Sequence, residues 1–275
     1  PPRSTPKPSS AASDVYKRQS LFNVIEGIYS ADAPSNFSGN LGAEAKNKLL
    51  IELSELDQKR AKLAQKKARL VLDLAKEKLV RGGIKSVETH LRNGDFVDTV
   101  TEFQDDSDII VIGKRGEAAD FARMHLGSNL ERLIRSTNRP VLVAARAFKP
   151  IHRILVAFDG GRSSYGAIEY VASNKLYSQL ECHVVIAGKE GSRGHKQSTH
   201  AENLLKKAGI KYQVFFERGE PEKVISDHVE QHNIDLLVMG AYGHSRIRNL
   251  MIGSTTTQMI RSCFCLLYTS PSPRD

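Results

Sequence analysis

A glycine-rich run in the second half of the 275-residue chain has the residue types and spacing of a phosphate-binding loop. Gly240, Gly243 and Gly253 follow a predicted strand at residues 236–239, and the hydroxyls of residues 254–256 add donors at the start of a predicted helix. Glycine lets the backbone approach a phosphate closely, and a helix N-terminus offers free N–H groups and a positive dipole end. The alternative is that these glycines only form turns and helix caps.

An acidic residue, Asp159, ends another predicted strand, at residues 153–158, and is followed by Gly160 and Gly161. Ligands of open α/β sheets bind outside the carboxyl ends of the strands, where such a carboxylate can accept a hydrogen bond from a ribose hydroxyl or help to hold a metal ion. Asp is equally favoured at the start of a helix. These residues alone leave ligand binding and helix capping open for Asp159.

No other pattern in the sequence predicts catalysis or a metal centre. The sequence contains neither a P-loop, G-x-x-x-x-G-K-[ST], nor a nucleophile motif, G-x-S-x-G. The histidines show no metal-ligand spacing paired with cysteine, so we expect most of them on the surface or in strands. Cys182 and Cys263 are expected to be buried, unreactive thiols. We therefore assign no catalytic residue and no metal ligand, and the sequence leaves enzymatic activity undecided.

The elements that would position these residues alternate between strands and helices. In the second half, strands are predicted at residues 153–158, 183–187, 211–216 and 236–239, and helices at 163–176, 199–208, 221–232 and 254–262. Continuous apolar strands that alternate with helices indicate an α/β fold whose parallel sheet is covered on both faces.

An internal repeat of domain size divides the chain. Residues 107–116 resemble residues 234–243, and each copy is followed by a Gly-Ser pair, at Gly127-Ser128 and Gly253-Ser254. We place domain 1 at residues 20–148 and domain 2 at residues 151–264, with a proline-containing linker between them.

Each predicted domain is expected to lack elements that the other contains. Nothing in the first half matches residues 153–159, so domain 1 is expected to lack its first strand and helix. Domain 2 ends at residue 264, where the first half continues into a predicted strand at residues 140–145. We therefore expect domain 2 to lack its last strand.

Both ends of the sequence look foreign to the rest of the chain. Residues 14–19 back-translate to GATGTGTATAAGAGACAG, and residues 265–270 to TGTCTCTTATACACATCT. The second string contains the reverse complement of GATGTGTATAAGAG, a relation that natural termini have no reason to obey. We interpret residues 1–19 and 265–275 as non-native tails translated from sequencing adapters and leave them out of the fold prediction.

A long helix is predicted at residues 43–80. Its apolar stripe consists of Leu49, Leu53, Leu56, Leu63, Leu70 and Leu74. Arg60 and Lys67 interrupt that stripe, which disfavours a coiled-coil arm and favours an amphipathic helix that packs one end on the sheet.

Composition excludes several classes of protein. The chain is 40% hydrophobic and 26% charged with a net charge of +9, and it has no run of the roughly 20 apolar residues that a membrane helix needs. Three cysteines do not make a disulfide scaffold, and no signal peptide is recognised, so we predict a cytoplasmic location. Neither a membrane nor a nucleic acid is an expected partner.

The run at residues 156–160, the glycine spacing of the second half and the domain size together resemble the universal stress protein family. The resemblance covers residues 20–264 and implies two tandem, Rossmann-like, adenine-nucleotide α/β domains. It implies ATP as a ligand, with Mg²⁺ as an accompanying ion, and a stress-response regulator as the function. Gly161 stands where the family commonly has serine.

The resemblance also implies site residues. In domain 2 these are Ala157, Asp159, Ala187, Met239 and Gly240 around the nucleoside, and Gly243, Gly253, Ser254 and Thr255 around the phosphates. A second, weaker candidate site in domain 1 would use Gly113, Gly116, Gly127 and Ser128, with one residue more between its glycines.

Two other functions remain open at this point. One is an interaction module that dimerises without nucleotide, and the other is a slow ATPase or autophosphorylating protein. Assembly as a homodimer and pairing of the two domains within one chain are both compatible with the sequence.

Overall fold

The computed structural model of the chain describes residues 18–25, 43–113, 128–144, 149–187, 192–240 and 264–268. The chain divides into two compact units, Pro1–Thr99 and Val100–Asp275. None of the described helices is both long enough and apolar enough to cross a membrane.

The first unit contains a two-stranded parallel sheet and a long helix. Strand β1 (Arg18–Ile25) pairs along its whole length with β2 (Ser86–Asn93). Between them in sequence lies helix α1 (Ala43–Arg81), a helical crossover of the kind that parallel neighbours require.

Helix α1 packs through its C-terminal half and not through the predicted leucine stripe. Ala68 and Leu72 are buried, and the Asn23 side-chain amide donates to the Ala68 carbonyl at 3.4 Å. Leu63 and Leu70, by contrast, are 66% and 59% exposed. The small Ala68 side chain allows the helix to approach the strands closely, which hydrophobic periodicity alone does not indicate.

The second unit contains a seven-stranded sheet with the order β3-β4-β9-β8-β5-β6-β7. Its strands are β3 (Ile110–Gly113), β4 (Val141–Ala144), β5 (Arg153–Ala157), β6 (Glu181–Ala187), β7 (Lys211–Glu217), β8 (Leu236–Gly240) and β9 (Phe264–Tyr268). All neighbours are parallel except β4 and β9, which are antiparallel. Strands from the two halves of the repeat therefore belong to one sheet.

Five α-helices follow α1 among the described residues. They are α2 (Phe96–Glu102), α3 (Ser128–Ser136), α4 (Arg162–Ser173), α5 (Ser192–Lys207) and α6 (Pro221–Gln231). Helix α4 packs against β5, β8 and β9, α5 against β7, and α6 against β6. The main core lies under α4 and α5, where Ile154, Val156, Ile168, Val184 and Leu205 are fully buried. Strand β5 is buried on both faces over residues 154–157, as its continuous apolar sequence predicts.

The prediction that domain 2 lacks its last strand is wrong. Strand β9 (Phe264–Tyr268) pairs in parallel with β8, from Leu236↔Phe264 to Gly240↔Tyr268. The prediction failed because it excluded residues 265–275 as a non-native tail. An apolar, aromatic run with high β-propensity can satisfy the backbone groups at the edge of β8 whatever its origin.

The first half contributes strands β1 to β4, and the second half contributes β5 to β9. In chain order β1 to β4 correspond to β6 to β9, so no described strand of the first half corresponds to β5. The expectation about the first strand and helix of domain 1 stays a prediction.

Candidate functional site

The candidate nucleotide site of the second half lies where the strand order of the sheet reverses. Strand β5 is central, with β8 on one side and β6 on the other, and Ala157 pairs with Met239 of β8. The chain leaves β5 toward β6 in one direction and returns to β8 on the other side. This topological switch point opens a crevice at the carboxyl ends of the strands.

Three of the predicted residues lie at this edge of the sheet. Asp159 follows β5, Ala187 ends β6 and Gly240 ends β8. The Phe158 N–H donates to the Val185 carbonyl at 2.9 Å, which continues the β5–β6 pairing toward Asp159 and Ala187. Ala157 and Met239 lie just before these strand ends and are buried, at 1% and 4% exposure.

Asp159 organises the turn that leads into α4. Its Oδ1 accepts a hydrogen bond from the Gly161 N–H at 2.8 Å. Gly160 has φ +72°, a left-handed conformation that glycine adopts without strain. The N-cap residue of α4 is Gly161, and no side chain caps this helix. Asp159 therefore holds the turn before α4 without capping the helix, and its carboxylate is half-buried.

Two glycines of this site are required by packing. A Cβ at Gly240 would lie 2.3 Å from the Ser163 Oγ and 2.9 Å from the Ser163 carbonyl carbon. The end of β8 thus fits tightly against the first turn of α4. A Cβ at Gly161 would lie 2.9 Å from the Asp159 Oδ1, which is a physical reason for glycine where the family commonly has serine.

The predicted phosphate-binding residues Gly243, Gly253, Ser254 and Thr255 lie outside the described residues. The described part of the site is consequently its nucleoside end.

The weaker candidate site of the first half is described only in part. Gly113 ends β3 and Ser128 begins α3, whereas Gly116 and Gly127 lie outside the described residues. A Cβ at Gly113 would meet no atom of the described residues within 4 Å. No acidic residue at the end of a β5-like strand accompanies Gly113 among the described residues.

Sequence reasoning missed a cluster of three histidines in the second unit. His183 of β6, His228 of α6 and His232, which caps the C-terminus of α6, place one ring nitrogen each within 4.8 Å of the others. The signal that could have found part of it is the spacing of His228 and His232, because residues four apart share one face of a helix.

The environment of these histidines keeps two of the rings neutral. Burial, with the neighbouring His228 and His232, lowers the pKa of His183. Burial also lowers the pKa of His228, against the opposing effect of its hydrogen bond to Glu217. A neutral imidazole has one nitrogen lone pair available.

Comparisons with known proteins agree with this fold. The family profile described as "Universal stress protein family" matches residues 40–145 and 150–268. The universal stress protein Slr1230 of Synechocystis sp. is 42% identical over 228 residues, which is 82% of this chain and 79% of that protein.

A solved structure of the family has the same fold. A universal stress protein from Archaeoglobus fulgidus superimposes with a TM-score of 0.62 at 23% identity and covers 91% of this chain and 88% of that chain. A family member from Arabidopsis thaliana, solved with AMP bound, is 14% identical with a TM-score of 0.33 and covers 44% of this chain and 93% of that chain. The chain belongs to the universal stress protein family, with two family domains in tandem.

Proposed function

We propose that this protein is an ATP-binding regulator of a stress response that binds its nucleotide in the second half. The observation that carries the proposal is the position of Asp159, at the carboxyl end of the central strand and beside the switch point between β5 and β8. Open α/β sheets bind their ligands at this point.

The described residues fit a nucleoside. The Asp159 carboxylate has two oxygens and several lone pairs, so the bond from the Gly161 N–H to Oδ1 is compatible with a second bond from a ribose hydroxyl. Ala187 is small and half-buried at the end of β6, the apolar Ala157 and Met239 are buried just before the neighbouring strand ends, and the bare backbone of Gly240 adds no bulk there.

The phosphates are assigned to Gly243, Gly253, Ser254 and Thr255 on the family resemblance. When bound, Mg²⁺ would supply positive charge to the phosphate oxygens. A cytoplasmic location and a regulatory role accompany this proposal and follow from the same resemblance.

Calorimetric titration of the full chain with ATP and AMP tests the proposal. Asp159→Asn keeps an oxygen that can accept the Gly161 N–H but removes the negative charge. We expect this variant to bind nucleotide about 10–100-fold more weakly, since a hydrogen bond to a charged group is worth about 1.5–3 kcal/mol.

Asp235→Asn is the matched control, because Asp235 Oδ2 accepts the backbone N–H groups of His152 at 2.9 Å and Arg153 at 3.1 Å before the start of β5. It should leave affinity unchanged. Wild-type affinity in the Asp159→Asn variant would contradict the proposal and leave the turn before α4 as the role of Asp159.

A further inference from the structure

Three histidines converge where α6 packs against β6 and β7, away from the residues assigned to the nucleotide. We propose that His183, His228 and His232 form a binding site for a divalent first-row metal ion, Zn²⁺. One nitrogen of each ring lies within 4.8 Å of the other two, and three imidazoles with an open fourth position are a set of ligands that Zn²⁺ commonly takes.

Two of the rings lie close to the separation that one ion requires. Ligand nitrogens at roughly 2.0–2.1 Å from a tetrahedral Zn²⁺ lie about 3.3 Å from each other. His183 Nδ1 and His228 Nε2 are 2.9 Å apart. A small opening of this pair would admit the ion, and a movement of His232 would complete the third bond.

The third ring is held close by helical geometry. His232 follows His228 by four residues, and their rings stack with centroids 4.1 Å apart. The backbone at His232 is anchored because Arg153 Nη1 donates to its carbonyl oxygen at 2.9 Å. His232 is only partly buried, so an ion and a water molecule can reach the cluster from this side.

A carboxylate orients the buried ring in the manner of metal-binding histidines. Glu217 Oε1 lies 2.8 Å from His228 Nδ1. An ionised carboxylate only accepts hydrogen bonds, so Nδ1 of His228 donates and its Nε2 has the lone pair. Metal-binding histidines commonly have such a carboxylate partner on their second nitrogen.

The other buried ring can change tautomer without a new charge. Without an ion, the lone pair of His228 Nε2 accepts the proton of His183 Nδ1. Metal binding requires this proton to move to His183 Nε2, which lies 3.7 Å from Glu181 Oε1. Arg153 and Lys211 face the same Glu181 carboxylate, at 3.0 and 3.8 Å, so its charge is already balanced.

A different account of the cluster is a packed histidine pair without a ligand. The Phe215 ring lies 4.9 Å from the His183 ring and 4.6 Å from the His228 ring. The hydrogen bond between His183 Nδ1 and His228 Nε2 satisfies both of these nitrogens. This account predicts no ion, and it does not require His232.

Two titrations of the full chain distinguish the metal site from the packed histidine pair. Zn²⁺ is titrated in competition with a chromophoric chelator, and Co²⁺ binding is followed by visible absorption. The background carries Cys263→Ser and Cys265→Ser, so that these thiols do not compete for the metal. We expect one ion per chain.

His232→Gln should weaken binding at least about tenfold, and Glu217→Gln about 10–100-fold. Because His232 is partly exposed, its replacement leaves no cavity in the core. The His232→Gln variant therefore tests the metal site even if His183→Gln or His228→Gln does not fold. The matched control is His152→Gln, whose side chain is exposed and lies outside the cluster.

The proposal is overturned if the folded protein binds neither Zn²⁺ nor Co²⁺. It is also overturned if the His232→Gln variant binds the metal as tightly as the protein that retains His232. An equal loss in the His152→Gln variant would overturn it as well. None of these results depends on the nucleotide, so the two proposals stand or fall separately.

Discussion

The ends of β3 and β8 come from matching positions of the repeat, yet they lie in different surroundings. Both strands are short apolar runs that end in glycine, at Gly113 and Gly240. Strand β8 pairs with β5 and β9, whereas β3 pairs with β4 alone among the described strands. The central valine of β8, Val238, is fully buried, but Val111 of β3 is 62% exposed.

This difference shows that the neighbours of a motif decide what the motif can do. At Gly240 the start of α4 closes on the strand, and Asp159 stands at the end of the adjacent strand. At Gly113 the space that a Cβ would occupy is open. The glycine that ends the strand is thus packed against a helix in the second half, whereas no described atom lies near its Cβ position in the first half.

The largest expected difference between the two ends is in stability. Gly240→Ala forces a Cβ into the Ser163 backbone, and overpacking of this kind costs about 1–3 kcal/mol, here at the upper end because backbone cannot rotate away. Gly113→Ala meets open space and should change the free energy of unfolding by less than about 0.5 kcal/mol. Urea denaturation of both variants measures this. Equal losses would contradict the difference in packing.

The next largest expected difference is in the stability effects of changing Val238 of β8 and Val111 of β3. Val238→Ala removes two buried methyl groups and should destabilise the protein by about 2 kcal/mol through lost burial and a small cavity. Val111→Ala, on an exposed position, should cost well under 1 kcal/mol. The midpoint of urea unfolding is the readout, and a Val111→Ala effect as large as that of Val238→Ala would show that β3 is covered in solution.

A smaller effect is expected at Cys182, which reports on the core of the second half. Burial raises the pKa of this thiol to about 12, so the reactive thiolate is scarce at pH 8. Iodoacetamide should leave Cys182 unmodified in the folded protein and modify it in urea, as followed by peptide mass spectrometry. Rapid labelling without urea would mean that β6 opens readily.

The raised pKa of Cys182 also predicts the direction in which stability changes at alkaline pH. An unfolded cysteine loses its proton near pH 8.5, while the folded thiol keeps it to about pH 12. The folded state binds more protons in this interval, so the contribution of Cys182 to stability falls as pH rises through it. Cys182→Ala should reduce this part of the alkaline loss in urea titrations at pH 8 and pH 10.

Element types and order could be predicted from the sequence because burial on both faces leaves a strong local pattern. The prediction of a strand at 153–158 corresponds to β5 (Arg153–Ala157), and that of a helix at 221–232 to α6 (Pro221–Gln231). The family, and the position of Asp159 at a strand end, could be predicted for the same reason.

Features that depend on contacts between distant elements could not be predicted. Gly240 is constrained by Ser163, which no local pattern reveals. The histidine cluster forms because α6 packs against β6. His183 and His228 are 45 residues apart in the sequence, yet His183 Nδ1 lies 2.9 Å from His228 Nε2. Strand β9 was missed because its residues had been set aside, although their apolar sequence suits a sheet edge.

The number of nucleotides bound per chain tests most directly the claim that the two halves differ in function. Calorimetric titration of the full chain with ATP should give one site per chain, and Asp159→Ala should remove it while Asp235→Asn retains it. Two equal sites per chain, or one site that survives Asp159→Ala in a folded protein, would contradict the assignment of the nucleotide to the second half.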